Sequence, residues 1–348
     1  MLFVSVVSSS GKPLMPCHPA RARELVRNGR AARRFNKGMF YIKLIDREDG
    51  ETQKIAVGID PGSKREGITV KSSAHTFLNI QATAVSWVKD AIETRRNMRR
   101  SRRNRKTPCR PNRLNRSRGS LPPSTKARWQ WKLRIARWLA RLYPITCFVV
   151  EDIAAQTKKG ARRWNVAFSP LECGKRWFYE HIAKLARLET KQGYETKELR
   201  DAHGLKKSSR KLAEIFTAHC CDSWVLANWF TGGHQKPDST RMLVIEPLRF
   251  HRRQLHRLQP ETGGARKPYG GTRSNGFKRG SLVQHVKHGL VYVGGCLKDR
   301  ISLHSLFDGK RLTQTAKTKD CSFLAYNSWR TRLLPQLKLG VSGAEVSL

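Results

Sequence analysis

Acidic residues are the conspicuous shortage in this chain: 26 Asp and Glu stand against 69 Lys and Arg in 348 residues, a formal charge of +43. A surface this positive repels itself unless a polyanion neutralises it, and nucleic acid is the usual polyanion. The balance argues against a free enzyme of small molecules. Long apolar runs are missing too. None approaches the roughly 18 residues that span a bilayer, and the opening MLFVSVV turns polar too soon for a secretory signal, so no membrane partner and a cytoplasmic location are expected. The eight cysteines include no CxxC pair, which argues against a zinc ribbon or thioredoxin-type motif and for reduced thiols. At 39% apolar residues the core is thin for two or three domains, and part of the fold is expected to lean on its partner.

What is present begins with a small unit over 1–53. Leu2 to Val7 reads as a strand, His18 to Asn28 as a helix starting near Pro19 and stopping at Gly29, and Met39 to Leu44 as an arm of a hairpin tipped by Asp46 to Gly50. Between them Pro13-Leu14-Met15-Pro16 reads, on its own, as a rigid loop. Ile55 to Asp60 is nearly continuously apolar, as a central strand buried on both faces should be; Pro61 to Gly67 reads as a turn and Ile68 to Val70 as a second strand. Residues 89–141 hold 19 Lys or Arg and two acids. The part from Asp90 to Lys106 has good helix formers but almost no apolar face, so it cannot bury itself against protein alone. Thr107 to Thr125 reads as a linker. Trp129, Leu133, Ala136, Leu139 and Tyr143 then mark an amphipathic helix with arginines on its other face.

Pro144 stops that helix, and Ile145 to Val150 reads as another buried strand, closed by Glu151. Helical patterns follow around Trp177 to Leu188. Leu205 to Trp229 reads as one long helix with an inward stripe of Leu212, Ile215, Phe216, His219, Asp222, Ser223, Leu226 and Trp229. Beyond Gly232 the chain is basic and β-leaning: Leu282 to Val293 alternates, with Gly294-Gly295 as a turn.

Three acids share one oddity. Asp60 and Glu151 each end a buried strand, and Asp222 sits one helical turn from His219 on a packed stripe. Buried carboxylates cost several kcal/mol each unless compensated (about 2–7 for a polar group and more for a charge), and a cluster of them repels itself. Divalent metal resolves the conflict. Carboxylate oxygens suit Mg²⁺, and two such ions about 4 Å apart (Mn²⁺ as a possible substitute) would drive phosphodiester hydrolysis. His219 fits either a ligand or a general base.

Ile59-Asp60-Pro61-Gly62, Val150-Glu151 and His219-x-x-Asp222 resemble the three split motifs of RuvC-like nucleases. The His-x-x-Asp form is similar to that of transposon-encoded IscB proteins and type II CRISPR effectors. Pro13-Leu14-Met15-Pro16 with His18-Pro19-Ala20-Arg21-Ala22-Arg23 resembles the PLMP domain of the IscB group, and Arg95 to Arg105 resembles its bridge helix. IscB proteins carry an HNH nuclease between the second and third motifs. Here only 67 residues separate Glu151 from His219, no His-Asn-His pattern occurs, and two basic helical patterns fill the interval. The chain is therefore similar to the HNH-lacking IsrB group.

The resemblance implies an α/β fold: an RNase H-like (RuvC) core split into three sequence segments, a small N-terminal PLMP domain, an arginine-rich bridge helix and a basic β-leaning C-terminal region. The implied divisions are PLMP over 1–53, RuvC segment I over 54–88, bridge helix and linker over 89–125, and RuvC segment II over 126–155. A basic connector over 156–204, RuvC segment III over 205–232 and a guide-RNA and target-adjacent-motif region over 233–348 complete them. The implied activity is that of an RNA-guided DNA nickase, with Asp60, Glu151, His219 and Asp222 as the Mg²⁺ site. An omega RNA would choose the target, and the cut would fall on the displaced strand of double-stranded DNA opened by the RNA–DNA heteroduplex. A monomer in a 1:1 ribonucleoprotein is expected. Arg95, Arg96, Arg99, Arg100, Arg102 and Arg103 are the expected nucleic-acid contacts. Basic clusters at Arg249 to Arg253, Arg266-Lys267 and Lys278-Arg279, interleaved with Tyr269, Phe277 and Tyr292, suit phosphate and stacking contacts. Two alternatives stand beside this: a guide-independent, structure-specific RuvC-like nuclease, and a non-catalytic RNA-binding protein.

Overall fold

A computed structural model describes residues 3–106, 121–155, 169–248, 258–259, 264–265, 273–297 and 299–335. Most of the linker after Lys106, the clusters at Arg249 to Arg253 and Arg266-Lys267, and Tyr269 lie outside them, as does the side chain of Arg102.

The first unit is a four-stranded sheet, β1 (Val4–Val7), β2 (Pro13–Cys17), β3 (Ala31–Asn36) and β4 (Met39–Leu44), in the order β2-β1-β4-β3. Helix α1 (Pro19–Arg27) crosses it, capped by the His18 ring, which accepts from the amide of Ala20. The chain leaves α1 through Gly29 at φ +68°, the left-handed conformation glycine favours. Two sequence expectations change here. Pro13-Leu14-Met15-Pro16 is strand, not loop; it lies at the sheet edge, where missing amide donors are tolerated. The hairpin joins β3 to β4 through Lys37-Gly38 rather than ending at 46–50, because Lys37 and Gly38 both take positive φ (50° and 85°), as the tightest hairpin turn requires. Asp46 and Asp49 are instead tied back by Arg30 and Lys12, each at 2.6 Å.

The central sheet is mixed. Strands β5 (Ile55–Asp60), β6 (Arg65–Ser72) and β7 (Thr76–Thr83) run antiparallel. After α2 (Trp87–Asn104) and α3 (Pro123–Leu139), β8 (Cys147–Asp152) returns parallel to β5. Helix α4 (Pro170–Ile182), strand β9 (Arg187–Gln192) and helix α5 (Gly193–Ala202) follow, and β9 pairs parallel to β8. The stretch read as two helical patterns is thus helix, strand, helix: Leu188 belongs to the sheet. Helix α6 spans Phe216–Thr231 and β10 Met242–Pro247.

Every residue of β5 is buried, as its apolar run requires. One face of the sheet packs on α3 and α4, where Trp129, Leu133, Leu139 and Phe178 join Ile55, Val57, Ile59, Phe148 and Val150. The expected stripe of α3 from Trp129 to Tyr143 is buried, and Arg128, Arg137 and Arg141 are exposed on its other face, while the Arg134 guanidinium lies over the Trp131 and Trp329 rings at 4.9 and 5.5 Å. The other face packs on α6, which is apolar nearly all round and buried from Ala218 to Asn228. The long helix expected from Leu205 does not form before Phe216. Gly204 at φ +63° turns the chain first, and the segment after it is tied elsewhere, Ser208 donating to the Thr217 carbonyl and Lys207 contacting Asp222. Leu212 and Trp229, expected inside, are 58% and 41% exposed.

Two short pairs, β11 (Leu258–Gln259) with β12 (Gly264–Ala265) and β13 (Arg273–Ser274) with β14 (Phe277–Lys278), precede a five-stranded antiparallel sheet. Its strands β15 (Leu282–His285), β16 (Gly289–Leu297), β17 (Arg300–Ser305), β18 (Arg311–Ala316) and β19 (Cys321–Ala325) stand in the order β18-β17-β16-β15-β19. The turn lies at 286–288, not at Gly294-Gly295, which instead sit in a register shift within β16; a Cβ on Gly294 would meet the His304 ring at 2.2 Å, so the glycine admits a neighbouring strand. Finally β20 (Trp329–Leu334) returns to pair with β10, giving the central sheet the order β20-β10-β7-β6-β5-β8-β9. Fully buried Trp329 meets Trp131 and Trp138 edge-on at 5.4 and 5.3 Å and donates to the Lys37 carbonyl, which docks the N-terminal unit. No helix among the described residues is long and apolar enough to cross a membrane.

Candidate metal centre and nucleic-acid cleft

Parallel pairing of β5 with β8 sets Ile59 opposite Val150, so Asp60 and Glu151 emerge side by side where the two strands end. Helix α6 supplies the third acid, and its approach depends on two glycines. A Cβ on Gly58 would lie 1.8 Å from the Ser223 carbonyl oxygen, and one on Gly67 would lie 2.3 Å from that of His219. Without side chains at 58 and 67 the helix backbone settles directly on β5 and β6, which brings the 219–223 turn to the end of β5. Carboxylate oxygens of Asp60, Glu151 and Asp222 then lie within 4.8 Å of one another.

Crowding these acids perturbs them. Burial, then the charges of Asp60 and Asp222, pushes Glu151 up to about 8, so it holds a proton at neutral pH beside Asp60. Burial alone would raise Asp60 as well, but the His219 hydrogen bond, the Lys207 charge and the Glu151 hydrogen bond outweigh it and hold Asp60 below the ordinary carboxylate range. Asp222 is bracketed by cations: Arg200 Nη1 at 2.8 Å from Oδ1, and Lys207 Nζ on Oδ2. Lys207 also reaches Asp60 Oδ2 at 3.4 Å.

His219 has one nitrogen committed. Nε2 lies 2.9 Å from the Lys211 carbonyl oxygen, which can only accept, so Nε2 carries the proton. Nδ1 lies 3.4 Å from Asp60 Oδ2: a second proton there makes the hydrogen bond that helps to hold Asp60 down, and without it the Nδ1 lone pair faces the carboxylate. Two acceptors facing each other call for a cation or a proton between them. Three carboxylates and an imidazole nitrogen form a donor set that a hard divalent cation such as Mg²⁺ fits.

The cluster opens into a cleft of about 780 Å³ lined by Asp60, Glu151 and His219 and by cations that include Lys64, Arg128, Lys132, Lys175, Lys207 and Lys211. Two of these cations are held from behind. Lys132 pairs with fully buried Glu66 at 2.7 Å, and burial still leaves the Glu66 carboxyl above its ordinary range. Lys175 pairs with Asp152 at 2.7 Å and Glu172 at 2.9 Å. Asp152, the neighbour of Glu151, also accepts from Tyr179 and Gln192, so it pins β8 to its surroundings.

All four residues singled out as ligands therefore meet: three carboxylates in one cluster, with His219 on Asp60. The six arginines lie elsewhere, on α2. Arg96, Arg99, Arg100 and Arg103 are exposed and Arg95 is half-buried; no described side chain of α2 is buried, in keeping with its missing apolar face. Nothing in the sequence marks Lys207, Arg200 or the Glu66–Lys132 pair, since a lysine in Lys206-Lys207 looks like any other of the 69 basic residues. Gly58 inside an apolar strand was a readable sign of close backbone approach.

Residues 4–164 match the family model of the RRXRR protein. That span includes Arg99-Arg100-Ser101-Arg102-Arg103 on α2. Among solved structures, T. thermophilus RuvC in complex with Holliday junction substrate is 12% identical over 52% of this chain and 98% of its own, with a TM-score of 0.28. The yeast mitochondrial Holliday junction resolvase Ydc2 is 13% identical over 53% of this chain and 80% of its own, TM-score 0.28. The Thermus thermophilus RuvC structure is 14% identical over 50% and 90%, TM-score 0.23. A search of curated proteins finds no match.

Proposed function

We propose that the chain is an RNA-guided DNA nickase of the IsrB type, with an RNase H-like core assembled from three sequence segments. One observation carries the reading: carboxylates from two strand ends and a distant helix converge within 4.8 Å at the mouth of a cation-lined cleft, on a chain of +43. The strand order β7-β6-β5-β8-β9, antiparallel then parallel, supports the RNase H-like part.

Asp60, Glu151 and Asp222 would hold Mg²⁺, with His219 Nδ1 as a further donor or as the base. Bound divalent ions supply Lewis acidity and lower the pKa of water, the chemistry that phosphodiester hydrolysis needs. The chain's own groups do the rest. Glu151 would release its proton in order to hold a cation; the Lys211 carbonyl fixes the His219 tautomer; cleft cations would seat the phosphates. Among the described residues this is the single group of three or more clustered metal-ligating side chains, which supports cutting one strand, the displaced non-target strand. Exposed guanidinium groups along α2 would track the guide RNA, with specificity delegated to pairing.

The test is to purify the chain from cells carrying its own locus, sequence the RNA that comes with it, and assay Mg²⁺-dependent cleavage before and after that RNA is removed. Cleavage that needs the RNA supports the reading. Cleavage of branched DNA without RNA would favour a structure-specific nuclease instead, and RNA binding with no cleavage a non-catalytic binder.

A further inference from the structure

Lys207 sits within the carboxylate cluster. Its Nζ is 3.4 Å from Asp60 Oδ2 and in direct contact with Asp222 Oδ2, so it touches two of the three acids that converge there. An ammonium bonded to two ligands of a divalent ion would stand about 4 Å or less from that ion, a like-charge contact that a partly desolvated cleft disfavours strongly. The two cations therefore exclude each other.

The lysine's backbone is held on both sides. Leu205, buried, donates its amide to the Arg200 carbonyl at 3.0 Å, and Ser208 donates to the Thr217 carbonyl at 2.9 Å. The side chain, in contrast, is 30% exposed and lines the open cleft beside Lys211. Leaving the cluster takes rotation of one side chain and no rearrangement of the fold.

We propose that Lys207 is the resident counter-ion of the cluster: it holds Asp60 and Asp222 together in the ion-free chain, swings out when a divalent ion enters, and then becomes a positioning residue for the nucleic-acid backbone. A polyanion in the cleft gives the displaced ammonium a new partner, so ion loading and nucleic-acid binding favour each other reciprocally. The inference rests on the nuclease reading in taking the cluster as a divalent-ion site.

Mn²⁺ binding to the full chain, followed by electron paramagnetic resonance with and without a single-stranded oligodeoxynucleotide, tests it. Lys207→Met removes the competitor and should tighten Mn²⁺ binding about tenfold without nucleic acid; Lys207→Gln should do the same, and Lys207→Arg should stay within about twofold of the parent. The oligonucleotide should tighten Mn²⁺ binding in the parent by several-fold and lose most of that effect in Lys207→Met. A merely structural lysine would weaken the ion site when removed. Equal or weaker Mn²⁺ binding by both neutral variants overturns the counter-ion role, as does an oligonucleotide effect that survives in them. Asp60→Asn separates the two levels: if it leaves Mn²⁺ binding unchanged, the ion-site reading falls and the counter-ion role with it.

Discussion

Replacing Gly58 by Ala adds one methyl group where the structure has no room for it. The new Cβ would stand 1.8 Å from the Ser223 carbonyl oxygen and 2.9 Å from the Ala227 amide nitrogen, both backbone atoms of α6, whereas ordinary contact begins near 3.4 Å. Backbone cannot rotate aside, so α6 must retreat by roughly 1.5 Å at Ser223 or β5 must bend. Overpacking of this kind costs about 1–3 kcal/mol. The functional cost should be larger, because Asp222 adjoins Ser223 and a displacement of about 1 Å at a reacting site can cost 100-fold in rate. Thermal unfolding should show a loss of a few degrees, while Mn²⁺ affinity and Mg²⁺-dependent cleavage fall far more steeply. Gly50→Ala is the control, since its Cβ would meet only the Arg47 side chain, at 3.6 Å. A Gly58→Ala variant with the parent's melting temperature and ion affinity would refute the close seating of α6.

Three further outcomes follow from the same geometry. In EDTA, folded Glu151 keeps its proton to about pH 8 while an unfolded carboxyl loses it near 4.5, so the folded chain holds more protons and loses stability as pH rises through that window; Glu151→Gln should therefore melt above the parent at pH 8, by about 1–3 kcal/mol once solvent access is discounted, and level with it near pH 5, whereas parallel profiles would contradict the crowding. Lys132→Met strands the buried Glu66 carboxylate and should cost about 3–5 kcal/mol in urea unfolding, most of it recovered when Glu66→Leu is added; a double variant as unstable as the single one would show that the pair is not isolated. Replacing Arg95, Arg96, Arg99, Arg100, Arg102 and Arg103 by Ala should weaken RNA binding and flatten its salt dependence, and an unchanged slope would remove α2 from the RNA interface.

The carboxylate cluster of the candidate site is more legible in the sequence than the fold around it. Asp60 and Glu151 betray themselves because an acid ends an otherwise apolar strand, and His219 and Asp222 because they interrupt a buried stripe. Local pattern also marks β5, β8 and α3. It failed where tertiary placement decides. Nothing in Arg187–Gln192, with its charged residues, announces a strand; it is one because β8 offers a free edge. The run from Lys206 to Lys211 keeps a helical period in its apolar neighbours, yet the turn at Gly204, the Ser208–Thr217 bond and the pull of the carboxylates on Lys207 keep it irregular. The contacts of Lys207 and Arg200 are invisible in sequence because they are defined by a partner, Asp222, that the fold brings to them.

Strand-resolved cleavage of a supercoiled target plasmid by the purified ribonucleoprotein decides whether the carboxylate cluster nicks guided DNA. The expected result is an open-circular product with one Mg²⁺-dependent break on the non-target strand, lost when Asp60→Ala is introduced while RNA binding stays normal. A linear product, or undiminished nicking by Asp60→Ala, would contradict it.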